Sequence, residues 1–183
     1  MDIEHLKLFG LKLVRLKPRV DDRGSFTRLF CDSELKTILG KKRIKQINYS
    51  RTNLVGALRG MHYQLPPHSE IKFVQCLKGR VWDIVIDLRK GSETLFNWHS
   101  EDLGACDDKM LVIPEGFAHG FQALEPDSEV LYFHTVSHTP KSEGGVAYDD
   151  PQIGIEWPLE VTDLSIRDKY HEKLKSNFRG IKV

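Results

Sequence analysis

Three kinds of side chain stand in this sequence at positions that suit proton-transfer chemistry. His62 lies in Arg59-Gly60-Met61-His62-Tyr63-Gln64, and His119 in Pro114-Glu115-Gly116-Phe117-Ala118-His119-Gly120. Lys72 leads the run Phe73-Val74-Gln75-Cys76-Leu77, and Tyr132 sits in Val130-Leu131-Tyr132-Phe133. An imidazole titrates near neutral pH and can take a carbon-bound proton. An ammonium stabilises the negative charge that grows on a neighbouring carbonyl oxygen. A phenol on the opposite face can return a proton and so invert the carbon. Such a set suits proton abstraction next to a carbonyl. Each residue also has a plainer role: a strand histidine satisfied in a core, a strand-entry lysine in water, an ordinary core tyrosine. Strand alternation puts Lys72, Val74 and Cys76 on one face, and Asp83 and Asp87 on one face of the next run. One of these acids is then available to hold Lys72 or a histidine.

The elements that must position these groups are short apolar or alternating runs separated by turn residues, the mark of an all-β sandwich or barrel. Strands are expected at Leu11 to Leu16, Phe26 to Phe30, Arg43 to Ser50, Ala57 to Gln64, Ile71 to Leu77 and Arg80 to Leu88. More follow at Thr94 to Ser100, Met110 to Ile113, Gly120 to Leu124 and Glu129 to Thr135. Asp21-Asp22-Arg23-Gly24 reads as a turn and Lys78-Gly79 as a tight hairpin. Asp32-Ser33-Glu34 can cap a short helix that runs to about Ile38 and stops at Gly40. The polar stretch from Asp163 onward reads as helix or as a tail crossing the barrel. Strands without alternating helices, and the lack of GxGxxG and GxxxxGK[ST], exclude a doubly wound nucleotide-binding fold.

Composition sets the frame. The chain has 183 residues, 40% hydrophobic and 29% charged, as expected for one globular domain over residues 1–183. Lys plus Arg is 27 against 26 for Asp plus Glu, a net charge of +1 that argues against a dedicated nucleic-acid partner. The basic run Lys41-Lys42-Arg43 reads as a solvated loop. No apolar run approaches a membrane span, and Met1-Asp2-Ile3-Glu4-His5 lacks the form of a signal peptide. Cys31, Cys76 and Cys106, without a CxxC, read as reduced thiols in a cytoplasmic protein.

The Pro114 to His119 segment, with an upstream strand histidine, resembles the two-motif layout of the cupin barrel. Cupins often hold a metal on an HxH pair, a carboxylate and the late histidine. Here Gln64 replaces the second histidine, and two distant imidazoles are a poor transition-metal set. More of the chain resembles the dTDP-4-dehydrorhamnose 3,5-epimerases, cupin-type nucleotide-sugar epimerases. The matching segments include Asp22-Arg23-Gly24-Ser25-Phe26, Gln46-Ile47-Asn48-Tyr49-Ser50, Leu58 to Gln64, Val81 to Arg89 and Ile113 to Gly120. Tyr148-Asp149-Asp150-Pro151, Gly154 to Leu159 and Leu164-Ser165-Ile166-Arg167-Asp168 continue the match. The resemblance implies a cupin-type jelly-roll barrel with a few short helices. It also implies a homodimer with exchanged N-terminal strands, a nucleotide-sugar substrate, and neither metal nor cofactor. It makes His62 the general base, Asp168 its partner carboxylate, Lys72 the enolate-stabilising cation and Tyr132 the general acid. Arg23 and Arg59 resemble the diphosphate-binding arginines, as suits guanidinium forks. Phe26, Gln46, Asn48, His119, Glu143 and Arg167 fall on substrate-contacting positions.

Two departures stand out. Arg28 reverses the charge of the glutamate in the usual Arg-Gly-x-Phe-x-Glu, near the nucleotide end. Thr135-Val136-Ser137-His138 replaces Thr-Asp-Tyr-Tyr, so that His138 stands where an aromatic stacking partner is usual. Competing readings are an epimerase acting at C3 alone or a 3,4-ketoisomerase, on another nucleotide sugar (CDP or GDP). A non-catalytic sugar-binding cupin and a metal-dependent cupin oxygenase are further alternatives.

Overall fold

The computed structural model describes residues 1–183. The first strands are β1 (Asp2–His5), β2 (Lys12–Arg15), β3 (Arg19–Asp21) and β4 (Gly24–Phe26). After the one-turn helix α1 (Lys36–Leu39) come β5 (Gln46–Thr52), β6 (Ala57–Gln64), β7 (Lys72–Lys78) and β8 (Arg80–Asp87). Then follow β9 (Trp98–Gly104), β10 (Lys109–Ile113), β11 (Phe117–Ala123), β12 (Ser128–His134) and β13 (Glu143–Gly145). The chain closes with β14 (Asp163–Leu164) and the one-turn α2 (Ile166–Lys169). One sheet runs β1-β2-β10-β7-β12-β5; the other runs β13-β6-β11-β8-β9, with β14 alongside β6. This is the all-β architecture that the alternating runs imply.

Alternation decides what lies between the sheets. Val81 and Val85 of β8, Val74 and Cys76 of β7, Phe117 and Phe121 of β11 and Val130 of β12 join one buried cluster. Lys72, Asp83, His119 and Tyr132 share those faces by period two, so the interior that buries the valines also collects the polar groups. The outer face of β8, with Ile84 and Ile86, and Leu88 just after it, is covered by Val146, Ile153 and Ile181 of the C-terminal wrap. Burying such side chains contributes about 1.5–3 kcal/mol each, which pins the register of the strands that carry the polar set.

Several boundaries differ from expectation. The strand after the first turn ends at Phe26, not Phe30. Its hairpin with β3 joins neither large sheet, and Leu29 and Phe30 turn away to pack on the cluster around Phe133. The first helix starts at Lys36 and has no side-chain cap, because its expected caps are engaged elsewhere. The Ser33 hydroxyl meets Cys31 Sγ at 3.1 Å, and Glu34 takes the Met1 ammonium and Arg28. The strand expected from Thr94 begins at Trp98, because Asp87 accepts from the Ser92 and Thr94 hydroxyls and holds that stretch as a turn. The strand expected from Arg43 begins at Gln46 and runs to Thr52. The one expected from Gly120 already begins at Phe117, which places His119 inside β11.

Candidate active site

A cavity of about 770 Å³ is lined from both sheets, by β5, β7 and β12 of one and β6 and β11 of the other, and by the segment around α2. His62 faces His119 across the β6–β11 ladder. That ladder passes a tight point: a Cβ on Gly60 (φ +140) would stand 2.6 Å from the Gly120 Cα. Only glycine fits this backbone approach, which sets β6 against β11 two residues before His62.

Asp168 reaches His62 from α2. The Ser165 hydroxyl caps that helix by accepting the Asp168 N–H at 3.1 Å. The Asp168 carboxylate, 3% exposed, accepts from His62 Nε2 at 2.7 Å and from the Gly60 N–H at 3.2 Å. Burial raises its pKa, but the hydrogen bond and charge of His62 and the Gly60 N–H outweigh that and lower it to about 2. An ionised carboxylate only accepts, so His62 gives its Nε2–H to Asp168 and Nδ1 is the nitrogen left for a substrate proton. Arg167 Nη2, which only donates, stands 3.0 Å from the same Nε2 and competes with Asp168 for it, while Nη1 pairs with Glu143 at 2.8 Å. The dyad therefore has the form of a histidine base oriented by a buried carboxylate.

The opposite sheet supplies the cation and the phenol. Lys72 projects into the interior with a side chain 13% exposed, its Nζ 3.7 Å from Glu70 Oε1. Tyr132 OH meets Ser50 Oγ at 3.2 Å. Burial pushes the Tyr132 phenol well above its ordinary pKa, and the Ser50 hydrogen bond opposes this only in part. Such a phenol holds its proton at neutral pH and has one to give. His119 Nε2 meets Asp83 Oδ2 at 2.8 Å. Burial drives the Asp83 carboxyl up and the His119 imidazole down, the direction that disfavours charge on either.

Arg59 lines the cavity, held by Thr52 Oγ1 (3.0 Å) and the Arg51 carbonyl (3.2 Å). Gln46 Nε2 donates to Asn48 Oδ1 at 3.0 Å, and Gln46 Oε1 accepts from the His138 N–H at 2.9 Å. His138 Nε2 lies 3.3 Å from Glu143 Oε2. These positions join the cavity as the sequence implied. Three do not line it. Arg23 sits at the β3–β4 turn, paired with Asp21 at 2.6 Å and 89% exposed. Phe26 is 69% exposed on the same hairpin, and Arg28 pairs with Glu34 at 2.7 Å. Within one chain the hairpin pairs only with itself, so its side chains stay outside.

Asp83 and Asp87 divide the roles left open for them. Asp83 holds His119, whereas Asp87 anchors Arg89 and the turn after β8, outside the cavity. Sequence reasoning missed Glu70, His134 and His171. Glu70 lies two residues before Lys72, and His134 two after Tyr132, so strand alternation was the available signal. His171 follows Asp168 by one helical turn and stacks edge-on to His62 at 5.4 Å. The donor atoms of His62, Asp168 and His171 lie within 4.8 Å of one another. The Arg167 guanidinium already places a cation against that cluster, which opposes a divalent ion there.

A family model described as dTDP-4-dehydrorhamnose 3,5-epimerase matches residues 5–176. The dTDP-4-dehydrorhamnose 3,5-epimerase of Sinorhizobium fredii is 34% identical over 187 aligned positions, spanning 100% of this chain and 96% of its own. A solved 3,5-epimerase from Legionella pneumophila, in complex with dTDP-4-keto-L-rhamnose, superposes with TM-score 0.88 at 34% identity. It covers 94% of this chain and 92% of its own. A 3'-monoepimerase from Streptomyces bikiniensis, in complex with dTDP-quinovose, gives TM-score 0.86 at 27% identity, covering 93% of this chain and 86% of its own. The jelly-roll barrel implied by the sequence is the fold shared with these proteins. No helix is long and apolar enough to cross a membrane.

Proposed function

The chain belongs to the dTDP-4-dehydrorhamnose 3,5-epimerase family, and on that premise we propose that it inverts the carbons flanking the keto group of a dTDP-linked 4-keto-6-deoxyhexose. The observation that carries the reading is the His62–Asp168 dyad opening into one cavity with Lys72 and Tyr132. His62 Nδ1 takes the proton from the carbon next to the keto group, and Asp168 stabilises the imidazolium that results. The electron pair moves onto the keto oxygen, where the Lys72 ammonium stabilises the enolate. Tyr132 gives its phenolic proton to the opposite face of the same carbon as the enolate electron pair returns, and solvent then takes the proton from the His62 imidazolium and returns one to the Tyr132 phenolate. No atom is gained or lost, and configuration alone changes. The 4-keto group acidifies both C3 and C5, so one set of groups serves both after the ring shifts.

Arg59 binds the diphosphate at the cavity mouth. Arg23, Phe26 and Arg28 belong to a partner's cavity in this reading. An exposed hairpin with Val20 and Phe26 at 77% and 69% exposure suits docking on a second copy of the chain, in a dimer with exchanged N-terminal strands. A single inversion at C3 is the second reading, favoured by the likeness to the Streptomyces bikiniensis 3'-monoepimerase. The test is a pair of variants followed by solvent-deuterium exchange. His62→Asn abolishes exchange at both carbons. Tyr132→Phe retains exchange but loses inversion. Wild-type exchange in His62→Asn, or an unchanged product in Tyr132→Phe, overturns the assignment.

A further inference from the structure

The cavity holds a second histidine–carboxylate pair that the mechanism above does not use. His134 Nδ1 lies 2.7 Å from Glu70 Oε2. On its other side, Asn48 Nδ2 approaches His134 Nε2 at 3.4 Å. The two contacts agree on one arrangement. An amide NH₂ only donates, so Nε2 presents its lone pair to Asn48 and Nδ1 carries the hydrogen given to Glu70. The imidazole is further held by Tyr132, whose ring stacks on it at 6.1 Å with the planes 26° apart. One Glu70 oxygen is thus occupied, and the other points at Lys72 Nζ from 3.7 Å. His134 is also the cross-strand neighbour of Lys72 between β12 and β7. Asn48, His134, Glu70 and Lys72 therefore form a chain in which each member orients the next.

The geometry assigns Glu70 and His134 as positioning residues that hold the Lys72 ammonium aimed into the cavity. This inference rests on the reading of Lys72 as the enolate-stabilising cation. The Glu70 carboxylate attracts the ammonium across 3.7 Å and so fixes where the flexible lysine stem points. Burial pushes the Glu70 carboxyl up, but the His134 hydrogen bond and the Lys72 charge outweigh it and keep Glu70 ionised. At 3.7 Å the carboxylate acts on Lys72 by charge without claiming a short hydrogen bond, which leaves the Nζ donors for a ligand oxygen. The other titratable groups around Lys72 are Asp83 on β8, His119 on β11, and Tyr132 with His134 on β12; its β10 neighbour is Ile113. Asp83 is already committed to His119, so Glu70 is the carboxylate left to answer Lys72.

The test uses Glu70→Gln, which keeps the shape and an oxygen for His134 but removes the charge, and His134→Phe, which keeps the ring and removes the hydrogen bonds. The Lys72 side chain is observed directly by NMR of the ¹⁵N-lysine-labelled, full-length protein, with Lys72→Arg to identify the signal. The Lys72 Nζ signal moves in Glu70→Gln, as for an ammonium that has lost its fixed partner, and moves in the same direction in His134→Phe. In the exchange assay, kcat falls about tenfold or more while KM stays within about threefold, and Glu70→Asp recovers part of the loss. An unmoved Lys72 Nζ signal in Glu70→Gln overturns the inference, whatever the activity. A moved signal in a protein that exchanges no substrate hydrogen supports the positioning and instead overturns the epimerase reading.

Discussion

Replacing Asp168 by Asn changes one atom and removes one charge at the centre of the proposed base. The carboxylate is buried, 2.7 Å from His62 Nε2, and also takes the Gly60 N–H. An Asn can keep one acceptor there, so the backbone of β6 and α2 stays in place. What is lost is the attraction between the carboxylate and the imidazolium that forms when His62 takes a proton. With charge centres about 4 Å apart and an effective dielectric constant near 20, that attraction is about 4 kcal/mol. His62 is partly open to solvent, with 22% of its side chain exposed, which reduces the figure to about 2–4 kcal/mol. The expected loss in kcat is therefore about 30- to 1000-fold, with KM little changed because Asp168 faces the base and not the nucleotide. The assay is deuterium incorporation into substrate in D₂O, followed by NMR at saturating and limiting substrate, with circular dichroism to verify the fold. A kcat within about threefold of wild type, in a folded variant whose exchange still requires His62, refutes the electrostatic role given to Asp168.

Three further outcomes follow from the same geometry. Gly60→Ala forces a Cβ against the Gly120 backbone at a φ of +140, so it destabilises by about 2–4 kcal/mol and lowers activity; an unchanged urea midpoint contradicts the close approach. Asp87 is fully buried and accepts from the Arg89 N–H and guanidinium and from the Ser92 and Thr94 hydroxyls. Asp87→Asn therefore costs about 3 kcal/mol of stability while kcat of the folded fraction stays at the wild-type level, as denaturant unfolding and the exchange assay together determine. Because Asp168 has its pKa lowered from 3.8 to about 2, its contribution to stability is full above about pH 4 and is lost as the pH falls toward 2. The gap in unfolding free energy between wild type and Asp168→Asn narrows over that range, and a gap that widens on acidification contradicts the assignment.

Much of the barrel was legible because its strands are short alternating runs. Ala57 to Gln64 is the strand expected, and Lys72, Val74 and Cys76 do share the interior face. Local competition hid the rest. Thr94 belongs to a run with strand character, but the Asp87 carboxylate captures its hydroxyl, and nothing in the run itself announces that. Ser33 and Glu34 look like helix caps and are taken by Cys31, Arg28 and the N-terminus instead. The dyad is a long-range product. His62 and Asp168 are 106 positions apart, and no periodicity joins them. What joins them is the parallel pairing of Asp163 with Ala57 and of Leu164 with Leu58, which sets the start of α2 beside β6. Family likeness supplied the His62–Asp168 pair where local pattern did not. It did not supply Glu70, which stands two residues before Lys72, or His134, which the folded register brings beside it.

The central claim is that this cavity moves protons on the carbons beside a sugar keto group. The most direct measurement incubates the wild-type protein with a dTDP-4-keto-6-deoxyhexose in D₂O and follows the C3 and C5 proton signals by NMR. The account predicts that deuterium replaces hydrogen at both carbons with inversion, and that none enters in His62→Asn. Retention of both hydrogens by the wild-type protein, with the sugar nucleotide shown to be bound, would contradict it.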